Sequence, residues 1–463
     1  MKCSKLLKAN FVLAFALVFL LCTEQTAFAE TIGSWTKKPS MLTPRESFQT
    51  QTLNGKIYAM GGKNGGLNYL SSVEEYDPST NRWTAKAPMS ASKSESKLVT
   101  VGGKIYAFGG FVEGADQNEI NPLHYSSAVE EYDPVSNTWT TKAPMSTPKF
   151  YFQAEVIDGK IYVMGGNDKD SLATVEEYDP ASDTWTTKQP MSSPRSFFNT
   201  EVINGKIYAI GGNDSQGRIT TVEEYDPQSD TWTEKAAMPT ERYSFKTEAV
   251  GGKIYVIGGQ SYTGSFIAPI EEYDPVSNTW ADKAAMPTER FGFETEVTGG
   301  KIYALGGWNG IVKSSAVEAY DPISNTWKTE APMTATRERF QTEVIDGKIY
   351  ALGGYDNGYG SSSLEVYVSN QITPATVATN ISGVKLDTGA KLTVKAGKTY
   401  QFKITSNAKP TFICGNHSIF KIVAHSSKGN NYYFKVKAVG KVGQAAGFYV
   451  NGSRIPSTVG TIR

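Results

Sequence analysis

The feature that most constrains this chain is a phrase it repeats. VEEYDPSTNRW, Val73 to Trp83, returns as VEEYDPVSNTW from Val129 and VEEYDPASDTW from Val175. Glycine pairs stand at Gly61–Gly62, Gly109–Gly110, Gly165–Gly166, Gly211–Gly212, Gly258–Gly259, Gly306–Gly307 and Gly353–Gly354, each closing a KIYAMGG-like segment. The first six are followed by Tyr-Asp-Pro (Tyr76, Tyr132, Tyr178, Tyr225, Tyr273, Tyr320) and then by a tryptophan: Trp83, Trp139, Trp185, Trp232, Trp280 and Trp327. A period of about 47 residues is the size of a four-stranded propeller blade.

Each unit divides into four short strands. FQAEVI runs into an Asp-Gly turn, where glycine accepts the positive φ of a tight hairpin. KIYVMGG alternates and pairs back on it, VEEY is a third strand, DPASD a turn opened by Asp-Pro, and TWTTK the fourth. No segment shows helical periodicity. The Gly pair with spaced Tyr and Trp resembles the kelch repeat over residues 33–368, which implies an all-β, seven-bladed propeller. The seventh unit has LEVY (Leu364–Tyr367) but no tryptophan after it, while the chain opens on an orphan fourth strand, SWTKK, carrying Trp35. Joining the two completes a seventh blade and leaves no open sheet edge. A six-bladed ring with a stray unit is the alternative.

Alternating strand directions put the fourth-to-first and second-to-third connections at one end, and the DPxSN and DG turns at the other. At the first end each unit has a methionine and a cation four residues on: Arg45, Lys93, Lys149, Arg195, Arg242, Arg290 and Arg337. Seven such cations would make a positive ring suited to an anionic ligand; the competing reading is that each pairs with a nearby Glu. The inner strands add Glu155, Glu201, Glu248, Glu296 and Glu343, with Gln51 and Val99 in the other two units. Those acids are expected to bridge to the basic ring, hold a cation or hydrogen-bond a sugar. Glu74 and Glu75, repeated in most units, read as tolerant blade positions. The long connector Phe111–Ser127 of the second unit carries His124 and lies at the cationic end, where loops bear function.

Galactose oxidase is a kelch enzyme with copper, histidines and a Tyr–Cys crosslink. Residues 30–370 have one histidine and no cysteine, so the resemblance carries over no copper site, and no cofactor or metal is expected. N-acetylneuraminate epimerase, another kelch enzyme, suggests acidic sugars as substrates, but no specific motif transfers.

Residues 1–29 read as a secretory signal: Lys2, Lys5 and Lys8 precede FVLAFALVFLLC, and Ala27-Phe28-Ala29 precedes a cleavage. The propeller is assigned to residues 30–370, with 44 acidic and 30 basic side chains. Residues 371–463 carry 13 Lys and Arg against one acid, Asp387, and alternate in runs such as TYQFKITS and NYYFKVKAVG. They look like a bacterial immunoglobulin-like β-sandwich, whose charge suits anionic wall polymers. The chain is therefore expected to be a monomeric, secreted or surface-associated binding protein without catalysis, taking a glycan, peptide or protein and no nucleic acid. An enzyme on acidic sugars and a structural spacer are the alternatives.

Overall fold

A computed structural model describes residues 32–369 apart from 67, 114–122, 262 and 357–358, and, beyond them, the backbone of strands between 379 and 462. The proposed signal, residues 1–29, and most of the blade-two connector lie outside the described residues. Between residues 34 and 368 the chain forms seven four-stranded antiparallel sheets. The third repeat shows the pattern: inner strand Gln153–Ile157, second strand Lys160–Met164, third strand Val175–Asp179 and outer strand Thr184–Lys188, paired in that order. One sheet is assembled from both ends of this region, because Ser34–Lys38 pairs with Leu364–Val368 and sets Trp35 opposite Tyr367. The result is an all-β array of repeated four-stranded sheets, consistent with a kelch β-propeller.

The core lies between sheets. Among the described residues, seven apolar clusters each draw on two neighbouring repeats; in one, Tyr162, Met164 and Val175 of the third meet Phe198, Ile207 and Tyr225 of the fourth. Another joins Ile345, Tyr350 and Leu364 of the last repeat to Met41, Phe48 and Tyr76 of the first. The glycine pair makes this approach possible. Gly165 and Gly166 have φ of 61° and 96°, and a Cβ on Gly165 would stand 2.6 Å from the Phe198 ring and 2.7 Å from the Arg195 carbonyl of the next repeat. A side chain there is excluded by both conformation and space.

The Tyr and Trp of the founding phrase fasten one repeat to the one before. The Trp139 indole N–H donates to the Ala87 carbonyl at 2.8 Å, Trp185 to Ala143, and Trp35 to Ala331. The turn residue Asn137 is left-handed, with φ of 55°. Its Oδ1 accepts from the Tyr132 hydroxyl and from the Ala87 amide of the preceding repeat. Asp183 does the same with Tyr178 and Ala143. Asn and Asp suit this place because they tolerate the left-handed region and carry an acceptor on a short stem.

In the tail, Lys391–Val394, Thr458–Ile462, Ala445–Val450 and Phe412–Cys414 form a four-stranded sheet. Thr399–Thr405, Asn431–Ala438 and Phe420–Lys428 form a three-stranded one.

Candidate functional site

The seven cations do not form an exposed ring; of the two sequence readings, pairing of each with a nearby Glu is the one the structure shows. Arg45, Lys93, Lys149, Arg195, Arg242, Arg290 and Arg337 are all buried. Each meets the first glutamate of the third strand: Arg45–Glu74 at 2.6 Å, Lys93–Glu130 at 2.5 Å, Lys149–Glu176 at 2.9 Å and Arg195–Glu223 at 2.5 Å. Arg242–Glu271, Arg290–Glu318 and Arg337–Glu365 each close at 3.0 Å. The guanidinium also reaches backbone carbonyls beside the glycine pair, Arg195 donating to Gly211 and Thr221, both at 3.1 Å. The sequence explains this. A cation entering the inner strand is carried inward by the buried methionine before it, and a carboxylate must meet it there because an unpaired buried charge is prohibitively costly.

Burial pulls the Arg45, Arg195, Arg242 and Arg337 guanidiniums below the usual arginine value, and Arg290 to about 10. Burial also raises Glu271 despite Arg242 beside it. That pair is the least satisfied, since neither Arg242 Nη2 nor Glu271 Oε2 makes an aligned hydrogen bond.

The second glutamate is equally committed where it occurs, while Ala319 and Val366 replace it in the last two repeats. Glu177 accepts from Lys160 Nζ at 2.6 Å and from the Tyr162 hydroxyl at 2.9 Å, and pairs with Lys188. Burial pushes its carboxyl up, but these donors outweigh it and hold it below the ordinary glutamate range. Glu75, Glu131, Glu224 and Glu272 repeat the arrangement. A cleft of about 410 Å³ near Lys160, Lys188, Lys206 and Asp226 is lined by these paired groups, at the end of the DG and DP turns.

Two of the inner-strand acids bond threonines rather than the seven cations. The Thr200 hydroxyl donates to Glu155 at 2.5 Å and the Thr52 hydroxyl to Glu343 at 2.7 Å, each from the following repeat. Glu201 is pushed up to about 8, by burial first and then by Glu248 and Glu155, against the Thr247 hydroxyl and the Ala249 amide. Burial raises Glu155 and Glu343 as well. Lys97 of the second repeat donates to Gln153 at 2.7 Å and lies near Glu155. His124 is exposed on Leu123–Tyr125, a strand that pairs with Phe111–Glu113.

What sequence reasoning missed lies two residues beyond each cation. Ser47, Glu95, Tyr151, Phe197, Ser244, Gly292 and Arg339 all have left-handed backbone, φ between 49° and 62°. Six are not glycine, and the conformation is costly for bulky Tyr151 and Phe197. The scaffold imposes it, because the cation before and a buried phenylalanine after (Phe152 or Phe198) are both fixed. Tyr151 and Phe197 lie 3.8 Å apart between centroids with their planes tilted by 32°, and Phe150, Phe111 and Tyr125 continue the aromatic surface. Glu95 takes the Ser47 hydroxyl and feels Lys63 and Arg339; burial nevertheless raises its carboxyl. The Ser47 amide donates to the Arg339 carbonyl. A shared offset from the cation was the available signal, but only Gly292 advertises a left-handed backbone.

Interlocked four-stranded sheets, a glycine pair per repeat and unlike side chains at one end define a repeat protein of the propeller class. The chain belongs to the kelch-repeat family: the KLHDC2/KLHL20/DRC7 Kelch-repeats domain matches residues 22–212, 97–307 and 188–354. Kelch-like protein 35 of Mus musculus is 30% identical over 139 residues, 30% of this chain and 23% of that protein. Beta-scruin of Limulus polyphemus is 28% identical over 135 residues, 29% of this chain and 14% of that protein. The matches thus span under a quarter of these curated relatives. Two solved structures share the fold at 16% identity. A fungal alcohol oxidase of the AA5 family, in complex with copper, has a TM-score of 0.62 over 91% of this chain and 98% of its own. YjhT has 0.50 over 64% of this chain and 99% of its own. At this identity the likeness shows the fold alone. No helix among the described residues is long and apolar enough to cross a membrane.

Two outcomes test the structural roles. Arg195→Ala should cost about 3–5 kcal/mol by stranding the Glu223 carboxylate, and pairing Arg195→Met with Glu223→Leu should recover most of it, as read by urea unfolding. An acid raised on folding stabilises the fold below its ordinary value of 4.5, and that contribution is lost as pH climbs through about 8. Stability should therefore fall between pH 5 and 8.5, and Glu201→Gln should flatten the slope in denaturant melts across that range.

Proposed function

We propose that this is an exported, monomeric, non-catalytic binding protein built on a closed seven-bladed ring. Pairing of Ser34–Lys38 with Leu364–Val368, and the apolar cluster joining the last repeat to the first, support the closure. The partner, a glycan, peptide or protein, meets the end bearing the outer-to-inner connections, and the basic tail adheres to anionic envelope polymers. The observation that carries the reading is the set of left-handed positions, identical in backbone and unlike in side chain, from Ser47 to Arg339. A frame that holds one conformation and varies only the group displayed is suited to recognition. Phe197, 43% exposed and packed on Tyr151, is the most accessible aromatic of that set.

The buried pairs weaken the case for an enzyme on acidic sugars, because the cations that would have held an anion are committed to glutamates. Two experiments separate the parts of the proposal. A photo-crosslinking amino acid at Phe197 should capture a partner on producing cells, and the same probe at Val135, on the opposite turns, should not; adducts confined to Val135 would refute the assignment of the binding end. Deleting residues 371–463 should move the protein from the envelope to the medium, and unchanged fractionation would remove the tail's role.

A further inference from the structure

Burial of all seven cations changes the kind of ligand this end can take. The left-handed positions at this end hold an aromatic pair, Tyr151 and Phe197, followed around the repeats by Ser244 and Gly292, then Arg339, Ser47 and Glu95, with Phe197, Gly292 and Arg339 the exposed ones. The last three are coupled: Ser47 hydrogen-bonds Glu95, its amide donates to Arg339, and both Arg339 and Glu95 act on Tyr151. One cation and one carboxylate flank a hydroxyl, with Lys63 close to Glu95 and Glu46 within 3.5 Å of Arg339. Lys246 also acts on Glu95 but is held by Glu294 at 2.7 Å, so cations and carboxylates are interleaved and neither sign of ligand charge is favoured.

We infer that this set binds one ring of a neutral sugar within a glycan. The proposal rests on the wider reading that this end is the binding face, and names its ligand. A pyranose has an apolar C–H face and a rim of hydroxyls that donate and accept. Tyr151 and Phe197, with ring planes tilted by 32°, offer aromatic area, and such side chains bury much surface with little entropy to lose. Arg339 supplies donors, Glu95 acceptors, and Ser47 both, which matches a hydroxyl rim and is more than an apolar peptide side chain needs. Ser244 and Gly292, small residues on the remaining side, leave room for the chain to continue. Phe197 remains 43% exposed although the same position holds Ser244 or Gly292 in other repeats, so the frame does not require an aromatic there.

The test uses the full chain on an array of neutral hexose and N-acetylhexosamine oligosaccharides, with their sialylated and uronic counterparts, followed by titration of the best neutral one. Neutral glycans should bind, and the acidic counterparts should bind no more tightly. Phe197→Ser and Glu95→Gln should each weaken binding by about tenfold or more, whereas Val135→Ser on the opposite end should leave it unchanged. Phe197 is exposed enough that its variant should keep the wild-type melting temperature; Glu95→Gln, which keeps shape and polarity, covers the case in which it does not. Binding only of acidic glycans, none at all, or binding indifferent to both substitutions overturns the inference. A displayed peptide library that enriches binders lost in Phe197→Ser, with no glycan bound, also overturns it while leaving the binding face standing. Peptide or glycan binders unaffected by any change at this end would remove the binding face as well.

Discussion

A buried ion pair repeated in every blade organises this protein. Removing a guanidinium or ammonium and a carboxylate from water is expensive, and one pair is rarely stabilising against apolar residues of equal size. What the pair supplies is position. The cation leads into the inner strand, the carboxylate begins the third, and in Arg45, Arg195, Arg242 and Arg337 the same guanidinium bonds a carbonyl of the glycine pair. Three segments far apart in sequence are thus fixed at one point, and the backbone two residues on has little choice but the left-handed region.

Much of this was legible in the residues. The Gly pairs, the Asp-Gly and Asp-Pro turns and the spaced Tyr and Trp specified four strands per unit. Ser34–Lys38 was recognisable as an outer strand lacking its sheet. The site was less legible, and the reason is electrostatic. A cation on an alternating segment looks the same whether it faces water or a carboxylate, and the partner glutamates sit about 30 residues away, in a phrase that seemed tolerant because it recurred. The recurrence of Glu74 and Glu75 reflected the opposite: five of the second-position glutamates bind two lysines and a tyrosine. The recognition positions were hidden for a different cause. Nothing in a tyrosine or a phenylalanine announces positive φ, since that conformation is imposed by fixed neighbours on both sides.

The scaffold and the surface therefore obey separate rules. Cation, glycine pair, Tyr and Trp are held constant by contacts that reach between repeats, while the residue two beyond the cation varies from Gly292 to Tyr151 without disturbing them. Glu155 and Glu343 of the acidic inner layer belong with the scaffold, because they take threonine hydroxyls from a neighbouring repeat.

The unlike residues of the inner layer bear on assembly. Hairpins this similar could dock in the wrong order while the chain is still collapsing, a known hazard of repeat proteins. Lys97 to Gln153, Thr100 to Gln51 and Lys246 to Glu294 are contacts between specific neighbours. A misplaced blade would leave Lys97 enclosed without its acceptor, and the penalty for stranding that ammonium works as an address label, sorting near-identical parts into sequence.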